Sequence, residues 1–424
     1  MKSAGRSVQA ARSRLFLSAW VLYAGYYICR KDMNPAAGPG ISSLAFSLIA
    51  FGAAYTLSQF AGGILADRFS ARRTALAGAG ISILCTSLLA FHPRHAIQLL
   101  VLLGNGLGQG FGWPALLRLI GEWFGRGERD RVLAWWSTSY ILGGVLATSF
   151  TAWLVFHTRS ISAATGFQPA YLVSSAVLFI AALFFYLETA YLTHPPAATA
   201  IAPPLPRSQA AAWHEILSSR SVQVISAAYF FLKMTRYTLL FWLPLYLVSS
   251  LGYAQLSAEH FASYFELLGF LGPLLAAWAL QHWFGERRLV LAAGMLFALA
   301  FVCLLHPVLA GGGELGTVLS IALMGTLIYG ADVLLSAMAV LDCMPVSLHG
   351  RAAGFVNGIG SIGQTLSPFL VTIFVVRWGW TSLFNLFVFF ALVAGGICAF
   401  GAHFQTDQTR ALNRSVDESG HFPA

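Results

Sequence analysis

The chain has 424 residues, of which 57% are hydrophobic and only 10% are charged, and its mean hydropathy is +0.70. A soluble domain carries about 25% charged residues, so these values exclude a protein exposed mainly to water. The formal net charge of +9 does not indicate nucleic-acid binding. Its basic residues form short clusters between apolar runs rather than one patch, which is how a membrane protein sets its orientation.

The cysteines and the N-terminal segment further restrict which sites and processing signals the chain can contain. All five cysteines fall inside or at the ends of apolar runs, without the spacing of a metal site, so we predict no disulfide, metal or cofactor. The basic start and following apolar run resemble a signal peptide. However, no small-residue cleavage site follows and the run ends in Arg30, so we predict a retained first membrane helix.

Twelve apolar runs are each long enough to cross about 30 Å of hydrocarbon. They predict an all-α membrane protein with twelve transmembrane helices in two pseudo-symmetric six-helix halves. A Pro- and Ala-rich segment between the sixth and seventh runs is the long linker. We predict an N-terminal half over 1–192, a cytoplasmic linker over 193–221, a C-terminal half over 222–403 and a polar, disordered cytoplasmic tail over 404–424. The runs cover about 14–33, 42–66, 74–92, 97–124, 132–156, 169–192, 222–249, 259–283, 288–308, 315–343, 352–376 and 380–403.

Loop charges predict the orientation. With the N-terminus inside, the inner segments collect nearly all loop arginines, and the outer loops receive only Arg94, Arg159 and Arg377. This asymmetry places both termini in the cytoplasm of a bacterial inner membrane. Four cations remain: Arg30 and Lys31 end the first span, while Lys233 and Arg236 lie well within the seventh.

The loop between spans two and three carries a recognisable motif. It contains Gly63, Asp67, Arg68, Arg72 and Arg73. The small residue allows two helices to approach closely, the aspartate can cap or pair with a neighbouring helix, and the arginines suit lipid headgroups. The loop resembles the signature loop of the major facilitator superfamily, and the resemblance implies that fold and a gating role for these residues.

The second half holds a degenerate copy of this loop. It keeps two arginines, Arg287 and Arg288, but has Gln281 where an acid is expected. A weakened copy is consistent with a duplicated half.

Further motifs narrow the resemblance. They are Tyr-x-x-Tyr-Tyr-x-x-Arg-Lys at 23–31, Gly-Gln-Gly-x-Gly-Trp-Pro at 108–114, Arg-Tyr at 236–237 and a glycine-rich stretch at 352–363. In this order, over roughly residues 20–375, they resemble the organophosphate:inorganic phosphate antiporter family, which includes glycerol-3-phosphate and hexose-phosphate transporters.

Buried arginines are the first candidates for the substrate site. A guanidinium inside a helix bundle is costly and faces a cavity or a partner, and transporters of two halves bind substrate between them near the midplane. Arg30 comes from the first half and Arg236 from the second. In the family that the chain resembles, arginines at these positions hold the phosphate, and the resemblance implies that role here. Lys31 is a further candidate.

Lys233 shares a helix face with Arg236, three residues later. Two cations on one face bind an anion or need a nearby carboxylate, and Glu266 on span eight and Asp332 on span ten are the available acids. The family places a carboxylate where Glu266 stands. Our hypothesis is that Glu266 or Asp332 pairs with Lys233 and releases it when substrate arrives; a permanent ion pair is the alternative.

Two positions depart from the family pattern. Glycerol-3-phosphate transporters have a lysine where this chain has Gln59 and a histidine where it has Tyr140. The resemblance therefore implies a phosphorylated substrate but not glycerol-3-phosphate itself. Several aromatic and amide side chains are further candidates to line the pocket: Tyr27, Tyr55, Tyr140, Trp136, Gln59 and Gln364.

These observations predict a monomeric secondary transporter that exchanges a small phosphorylated organic anion for inorganic phosphate. Two alternatives stay open: a membrane sensor of external sugar phosphate that does not transport, and an exporter of an unrelated solute. An enzyme is not expected, because no nucleophile–base arrangement and no phosphate-binding loop can be found. The histidines lie mainly in loops or at span ends, which favours phosphate exchange over proton symport, although Glu266 and Asp332 keep proton coupling open.

Overall fold

The computed structural model describes residues 2–31, 41–91, 95–165, 168–192 and 208–419, and these residues are almost entirely helical. The first half consists of six long helices that correspond to the first six predicted spans. They are α1 (Lys2–Lys31), α2 (Ile41–Arg68), α3 (Ala71–Leu89), α4 (His95–Trp123), α5 (Arg126–Thr165) and α6 (Pro169–Thr189).

The second half supplies the other six spans, two of them from consecutive helical pieces. After the short helix α7 (Gln209–Ser218) come α8 (Arg220–Ser249), α9 (Gln255–Leu267), α10 (Leu271–Ala279), α11 (Arg288–Gly311), α12 (Glu314–Val333), α13 (Ala339–Cys343), α14 (His349–Trp378) and α15 (Trp380–Ser419). A π-helical turn, Leu280–Phe284, extends α10, and another, Leu334–Met338, joins α12 to α13. A short 3₁₀ turn, Val346–Leu348, precedes α14.

Seven of the described helical segments are long and apolar enough to cross a membrane. They begin at Phe46, Pro169, Gln255, Arg288, Glu314, Val346 and Trp380. The five other predicted spans also coincide with long helices, namely α1, α3, α4, α5 and α8. The prediction of an all-helical architecture is confirmed.

The described parts of two connecting segments are helical. The predicted linker contains a ten-residue helix, α7, whose start is capped by the Ser208 hydroxyl accepting from the Ala211 N–H. Residues 193–207 of the linker lie outside the described part. The predicted disordered tail is helical as far as Ser419, because α15 continues past the apolar segment.

Local sequence signals explain where several helices begin and end. The hydroxyls of Ser70 and Ser219 accept backbone N–H bonds at the starts of α3 and α8, which satisfies one of the donors left free at a helix start. Gly379 follows α14 with φ of 76°, a conformation that favours glycine, and so allows the chain to turn directly into α15.

The two halves meet along two helix pairs. On one side α2 packs against α14, and on the other side α5 packs against α9 and α10. The contact between spans two and eleven therefore has a counterpart in the contact between spans five and eight. Within the first half α1 packs on α5 and α6, and within the second half α8 packs on α14 and α15. This pairing leaves the centre of the molecule between α1, α5, α8 and α12.

Glycines allow α2 and α14 to approach at backbone distance. A Cβ atom on Gly63 would lie 2.5 Å from the Gly350 carbonyl oxygen, and one on Gly354 would lie 2.4 Å from the Gln59 carbonyl oxygen. In a membrane, where apolar association gives little driving force between helices, such close backbone packing is a main source of attraction.

We therefore expect Gly63→Leu to force α2 away from α14. Overpacking of this kind typically costs about 1–3 kcal/mol, so the purified protein in detergent should unfold at a temperature several degrees lower. Gly80→Leu is the matched control, because nothing lies within 4 Å of a Cβ atom at Gly80. Equal thermal stability of the two variants would contradict the close approach at Gly63.

Candidate functional site

Four charged side chains lie buried at the centre of the molecule. Arg30 comes from α1, Lys233 and Arg236 from α8, and Asp332 from α12, and each is at most 3% exposed. Charges inside a membrane bundle are rare and mark substrate or ion pathways, so this cluster is the candidate site.

Arg30 is held by neutral partners. Its Nε donates to Gln109 Oε1 at 3.2 Å and its Nη1 donates to the Tyr237 hydroxyl at 3.3 Å. The Gln109 amide is itself fixed by donating to the Tyr26 carbonyl at 2.9 Å. The guanidinium also lies over the Tyr55 ring, 4.6 Å from its centroid, which gives a favourable cation–π contact. Among its described hydrogen bonds, none goes to a carboxylate.

Arg236 is held by a carboxylate. Its Nη1 donates to Asp332 Oδ1 at 2.8 Å, a buried ion pair. The same Oδ1 accepts from the Tyr229 hydroxyl at 2.9 Å, and Oδ2 accepts from the Tyr140 hydroxyl at 2.7 Å. Such pairing with further hydrogen bonds is what makes a buried ion pair tolerable. The guanidinium also lies 4.6 Å from the ring centroid of Tyr329.

Lys233 corrects the pairing that the sequence suggested. Its ammonium donates to Asn357 Oδ1 at 2.5 Å, to the Ser361 hydroxyl at 2.6 Å and to the Asn357 carbonyl at 3.4 Å. These three acceptors match the three donors of an ammonium group. Asp332 pairs with Arg236 instead of Lys233, because the neighbouring helix α14 already surrounds the ammonium with neutral oxygens.

The central contacts join the two halves. Arg30 of α1 donates to Tyr237 of α8, while Arg236 of α8 reaches the Tyr27 hydroxyl of α1 at 3.5 Å, so each half sends an arginine to a tyrosine of the other. Two further hydrogen bonds cross the same boundary. The Tyr140 hydroxyl donates to Asp332, and the Asn357 side-chain amide donates to Gln59 Oε1 at 3.1 Å.

The cavity inside this cluster is contracted to about 10 Å³, the space of a single water molecule. It is lined by Tyr23, Tyr27, Tyr55, Trp113, Tyr140, Tyr229, Lys233, Arg236, Tyr237, Asp332 and Asn357. A group of the size of phosphate does not fit, so a ligand of that size can enter only when the halves part.

The predicted pocket residues divide into those that line the cavity and those behind it. Tyr27, Tyr55 and Tyr140 line it. Gln59 lies behind Asn357, and Trp136 packs behind Tyr23 with ring centroids 5.2 Å apart. Gln364 is buried on α14 but is not among the described residues that line the cavity. Lys31 ends α1, and its side chain lies outside the described part.

Sequence reasoning missed Tyr229 and Asn357 as site residues. Tyr229 precedes Lys233 by four residues and Arg236 by seven, so helical spacing places all three on one face of α8 and would have indicated it. Asn357 is a polar residue in a glycine-rich span, which is a weaker signal. Its role depends on the rotation of α14, which the sequence does not specify.

Glu266 lies in a separate crevice. A cavity of about 90 Å³ opens between α5, α8 and α9, and Glu266 lines it together with Glu259, Ser263, Pro244 and Val145. Glu266 is 6% exposed. This crevice lies towards the end of the bundle opposite the predicted loop motif, because α9 runs from that end.

The end of the bundle that carries the loop motif at 63–73, here called the motif end, is closed by Asp67. This side chain on α2 accepts from the backbone N–H groups of Gly350 and Arg351 at 3.0 and 2.9 Å, at the start of α14. Those N–H groups begin a helix and carry its positive dipole end, which favours a carboxylate. Asp67 also pairs with Arg118 of α4 at 2.7 Å.

A second group of charges, here called the motif-end cluster, closes the opposite side of the same end. It consists of Arg129 and Asp130 on α5 with Arg288 on α11 and Asp342 on α13. Asp342 accepts from Arg129 at 2.6 Å and pairs with Arg288 at 2.7 Å, and Arg288 also pairs with Asp130 at 2.9 Å. Four charges thereby connect the two halves at the motif end.

The other motif residues do not all contact the second half. Arg72 stays within the first half, where its Nε donates to the Thr189 hydroxyl at 2.8 Å and its Nη2 donates to the Tyr186 carbonyl at 3.0 Å. Arg68 and Arg73 are exposed, as headgroup-level arginines would be. Gly63 and Asp67 are therefore the motif residues whose described contacts reach the second half.

Comparison with known proteins identifies the family to which this helical architecture belongs. The sequence profile of the Major Facilitator Superfamily matches residues 15–345, well over half of the chain. The chain belongs to the Major Facilitator Superfamily. Members of this superfamily are membrane transporters rather than enzymes, which confirms the multi-pass transporter predicted from the sequence.

Similar proteins of known name show which members of the superfamily this chain resembles. The chain is 26% identical over 416 residues to the glycerol-3-phosphate transporter of Bacillus subtilis, covering 90% of each. It is 27% identical over 417 residues to the membrane sensor protein UhpC of Salmonella typhimurium, covering 92% of this chain and 90% of that one. It is 25% identical over 387 residues to the mouse glucose-6-phosphate exchanger SLC37A2, covering 80% and 75%. The resemblance to the organophosphate antiporters is confirmed.

Solved structures confirm the fold. The transporter FucP in its outward conformation matches with a TM-score of 0.70 at 15% identity, covering 92% of this chain and 98% of that one. The proton:xylose symporter XylE matches with a TM-score of 0.69 at 11% identity, covering 92% and 94%.

We expect Asp342→Asn to open the motif end. Removing this carboxylate leaves two buried arginines with less compensation, and breaking such pairs costs about 3–5 kcal/mol. The measurement is alkylation, by an impermeant maleimide applied from the motif end, of a reporter made by Asn357→Cys. The rate should rise at least fivefold.

Glu286→Gln in the same reporter background is the matched control, because it removes one exposed carboxylate close to Arg288 in the chain. An unchanged alkylation rate in Asp342→Asn would show that the motif-end cluster does not hold the halves together.

Proposed function

We propose that this transporter exchanges a small phosphorylated organic anion for inorganic phosphate by alternating access. The observation that carries the proposal is the charge of the central site. Three buried cations, Arg30, Lys233 and Arg236, surround one buried carboxylate, Asp332, so this cluster by itself has an excess of two positive charges. Glu266 offsets part of this excess from its separate crevice. A phosphate monoester carries nearly two negative charges at neutral pH, since its second pKa is about 6.

Orphaned donors around the site support an anionic ligand. Nη2 of Arg30, Nε of Arg236 and Nε2 of Gln59 are buried and make no well-formed hydrogen bond to any described residue. All three are N–H groups, and a phosphoryl group offers only acceptor oxygens. Planar guanidinium groups suit such oxygens because they donate two parallel bonds.

The named activities of the relatives support the same class. The Bacillus subtilis relative is called a glycerol-3-phosphate transporter and the mouse relative a glucose-6-phosphate exchanger. Gln59 and Tyr140 depart from the glycerol-3-phosphate pattern. We therefore infer a phosphorylated substrate whose organic part differs from glycerol.

The proposed roles follow from position. Arg30 and Arg236 hold the phosphoryl group, and Lys233 contributes the third cation. Tyr27, Tyr55 and Tyr140, which line the cavity, contact the organic part or the phosphoryl oxygens. Gln59 and Trp136 support the lining from behind, and Gln364 is a further candidate on α14. Lys31 adds charge at the end of α1, and Glu266 and Asp332 balance charge.

The cycle that we propose starts from the arrangement seen here. The motif end is closed by Asp67 and the motif-end cluster, while the Glu266 crevice lies towards the opposite end. We propose that the motif end is cytoplasmic in a bacterial inner membrane, that both termini lie there, and that the protein is a monomer of two halves, 1–192 and 222–403. Substrate entering from outside would replace the cross-half contacts of the site before the motif end opens.

A sensor is the second candidate. The specific observation is the 27% identity to the membrane sensor UhpC of Salmonella typhimurium across nearly the whole chain. The two functions differ in one measurable property: a sensor binds the phosphorylated compound without net flux, whereas a transporter exchanges it.

We expect Arg236→Ala to abolish exchange. Proteoliposomes loaded with inorganic phosphate should take up a labelled sugar phosphate with the wild-type protein. The variant should lose at least 99% of this uptake, because losing a charge-assisted contact to phosphate and leaving Asp332 unpaired costs about 3 kcal/mol or more.

Arg377→Ala is the control, since Arg377 is exposed at the end of α14. Undiminished uptake by Arg236→Ala would reject the role of that arginine. Binding of phosphorylated compounds without uptake by the wild type would establish the sensor instead.

A further inference from the structure

Asp332 holds a set of donors that suits a phosphoryl group. Its two carboxylate oxygens accept from one guanidinium, Arg236, and from two tyrosine hydroxyls, Tyr229 and Tyr140, at 2.7–2.9 Å. Asp332 is 1% exposed and lines the central cavity beside these partners. An anion placed in that cavity would meet the same three donors.

The other two cations of the site have no such acid among their described hydrogen-bond partners. Arg30 donates to Gln109 and Tyr237, and Lys233 donates to Asn357 and Ser361. Neutral acceptors compete weakly with a dianion for a cation, whereas a carboxylate competes strongly because its bonds are charge-assisted. Arg236 is therefore the cation at which an entering anion meets direct competition.

We propose that Asp332 is a resident competitor for the phosphoryl group, which must displace this carboxylate from Nη1 of Arg236 before that nitrogen can bind it. The inference rests on the proposed phosphate site and names the residue that sets its affinity. The organic part of the substrate plays no role in this competition, so inorganic phosphate and its monoesters are affected alike.

Displacement also has a mechanical consequence. Tyr140 belongs to α5 of the first half and Asp332 to α12 of the second, so their hydrogen bond joins the halves. A phosphoryl group that takes Arg236 from Asp332 also competes for the Tyr140 hydroxyl, because this hydroxyl is another of the three donors that now hold the carboxylate. Substrate binding thereby changes a contact that differs between conformations, which is the requirement for a ligand to shift them.

The test measures binding of inorganic phosphate to the purified full-length protein in detergent by calorimetry. Asp332→Asn keeps the size of the side chain but removes its charge, so it should bind phosphate at least tenfold more tightly than the wild type. Asp332→Glu restores the carboxylate and should return the dissociation constant to within threefold of the wild-type value.

The outcomes separate this inference from the proposed function. If the wild type binds neither phosphate nor its esters, the proposed function fails. If the wild type binds phosphate and Asp332→Asn binds it equally or more weakly, Asp332 is only a structural counter-ion for Arg236, and the competitor is rejected while phosphate binding stands.

A measurement on the wild type covers the case in which Asp332→Asn does not fold. Phosphate should change a carboxylate stretching band in the infrared difference spectrum, because Asp332 loses its guanidinium partner. The band should shift in Asp332→Glu. A spectrum without any carboxylate change on phosphate binding would overturn the proposal.

Discussion

The structure depends on the cost of keeping charge away from water. Even after relaxation, a buried ion costs several kilocalories per mole unless partners compensate it, and this chain buries three cations at its centre. The compensation is mixed. Tyrosine hydroxyls, amide oxygens and aromatic faces surround Arg30 and Lys233, and a single carboxylate pairs with Arg236. The density of tyrosines in the centre follows from this need, because each offers both a hydroxyl and a ring face to a cation.

The same constraint decides how much the sequence can predict. Twelve spans follow from apolar length, and the candidate cations follow from the rule that charges within spans are functional. The partner of each cation does not follow, because it depends on how far each helix is rotated about its axis. The sequence offers Asp332 as a partner for Lys233, yet the rotation of α14 brings Asn357 and Ser361 to that ammonium.

The connecting segments show a different limit. The alanine-rich segment around α7 and the polar segment beyond residue 404 both lack apolar periodicity. Even so, α7 and the extension of α15 are helical. Composition predicted that these segments do not cross the membrane. It could not predict their backbone, because a helix needs only suitable residues and a cap such as Ser208.

Four of the described aspartates connect the halves, and they do so at two levels. Asp67, Asp130 and Asp342 act at the motif end, where their partners are a helix N-terminus and arginines. Asp332 acts at the centre through Tyr140. An anion bound at the centre contacts Asp332 and its partners but not the motif end, so the motif-end contacts stabilise the closed arrangement equally with and without substrate. The motif-end contacts thus set the free energy by which the closed arrangement is favoured, and the central contacts determine how much substrate changes it.

The energies of the central hydrogen bonds are large enough for substrate binding to shift the equilibrium between the two arrangements of the halves. Reversing a two-state equilibrium from 1:99 to 99:1 needs about 5.5 kcal/mol of differential affinity. Hydrogen bonds to charged groups contribute about 1.5–3 kcal/mol each. The bonds from Arg30 to Tyr237 and from Tyr140 to Asp332 both cross between the halves and both involve charge. Exchanging these two for bonds to a phosphoryl group redistributes about 3–6 kcal/mol between the arrangements, which is the scale required. One dianion can thus drive the conformational change without touching the motif end, provided that its own bonds are distributed over arginines from both halves.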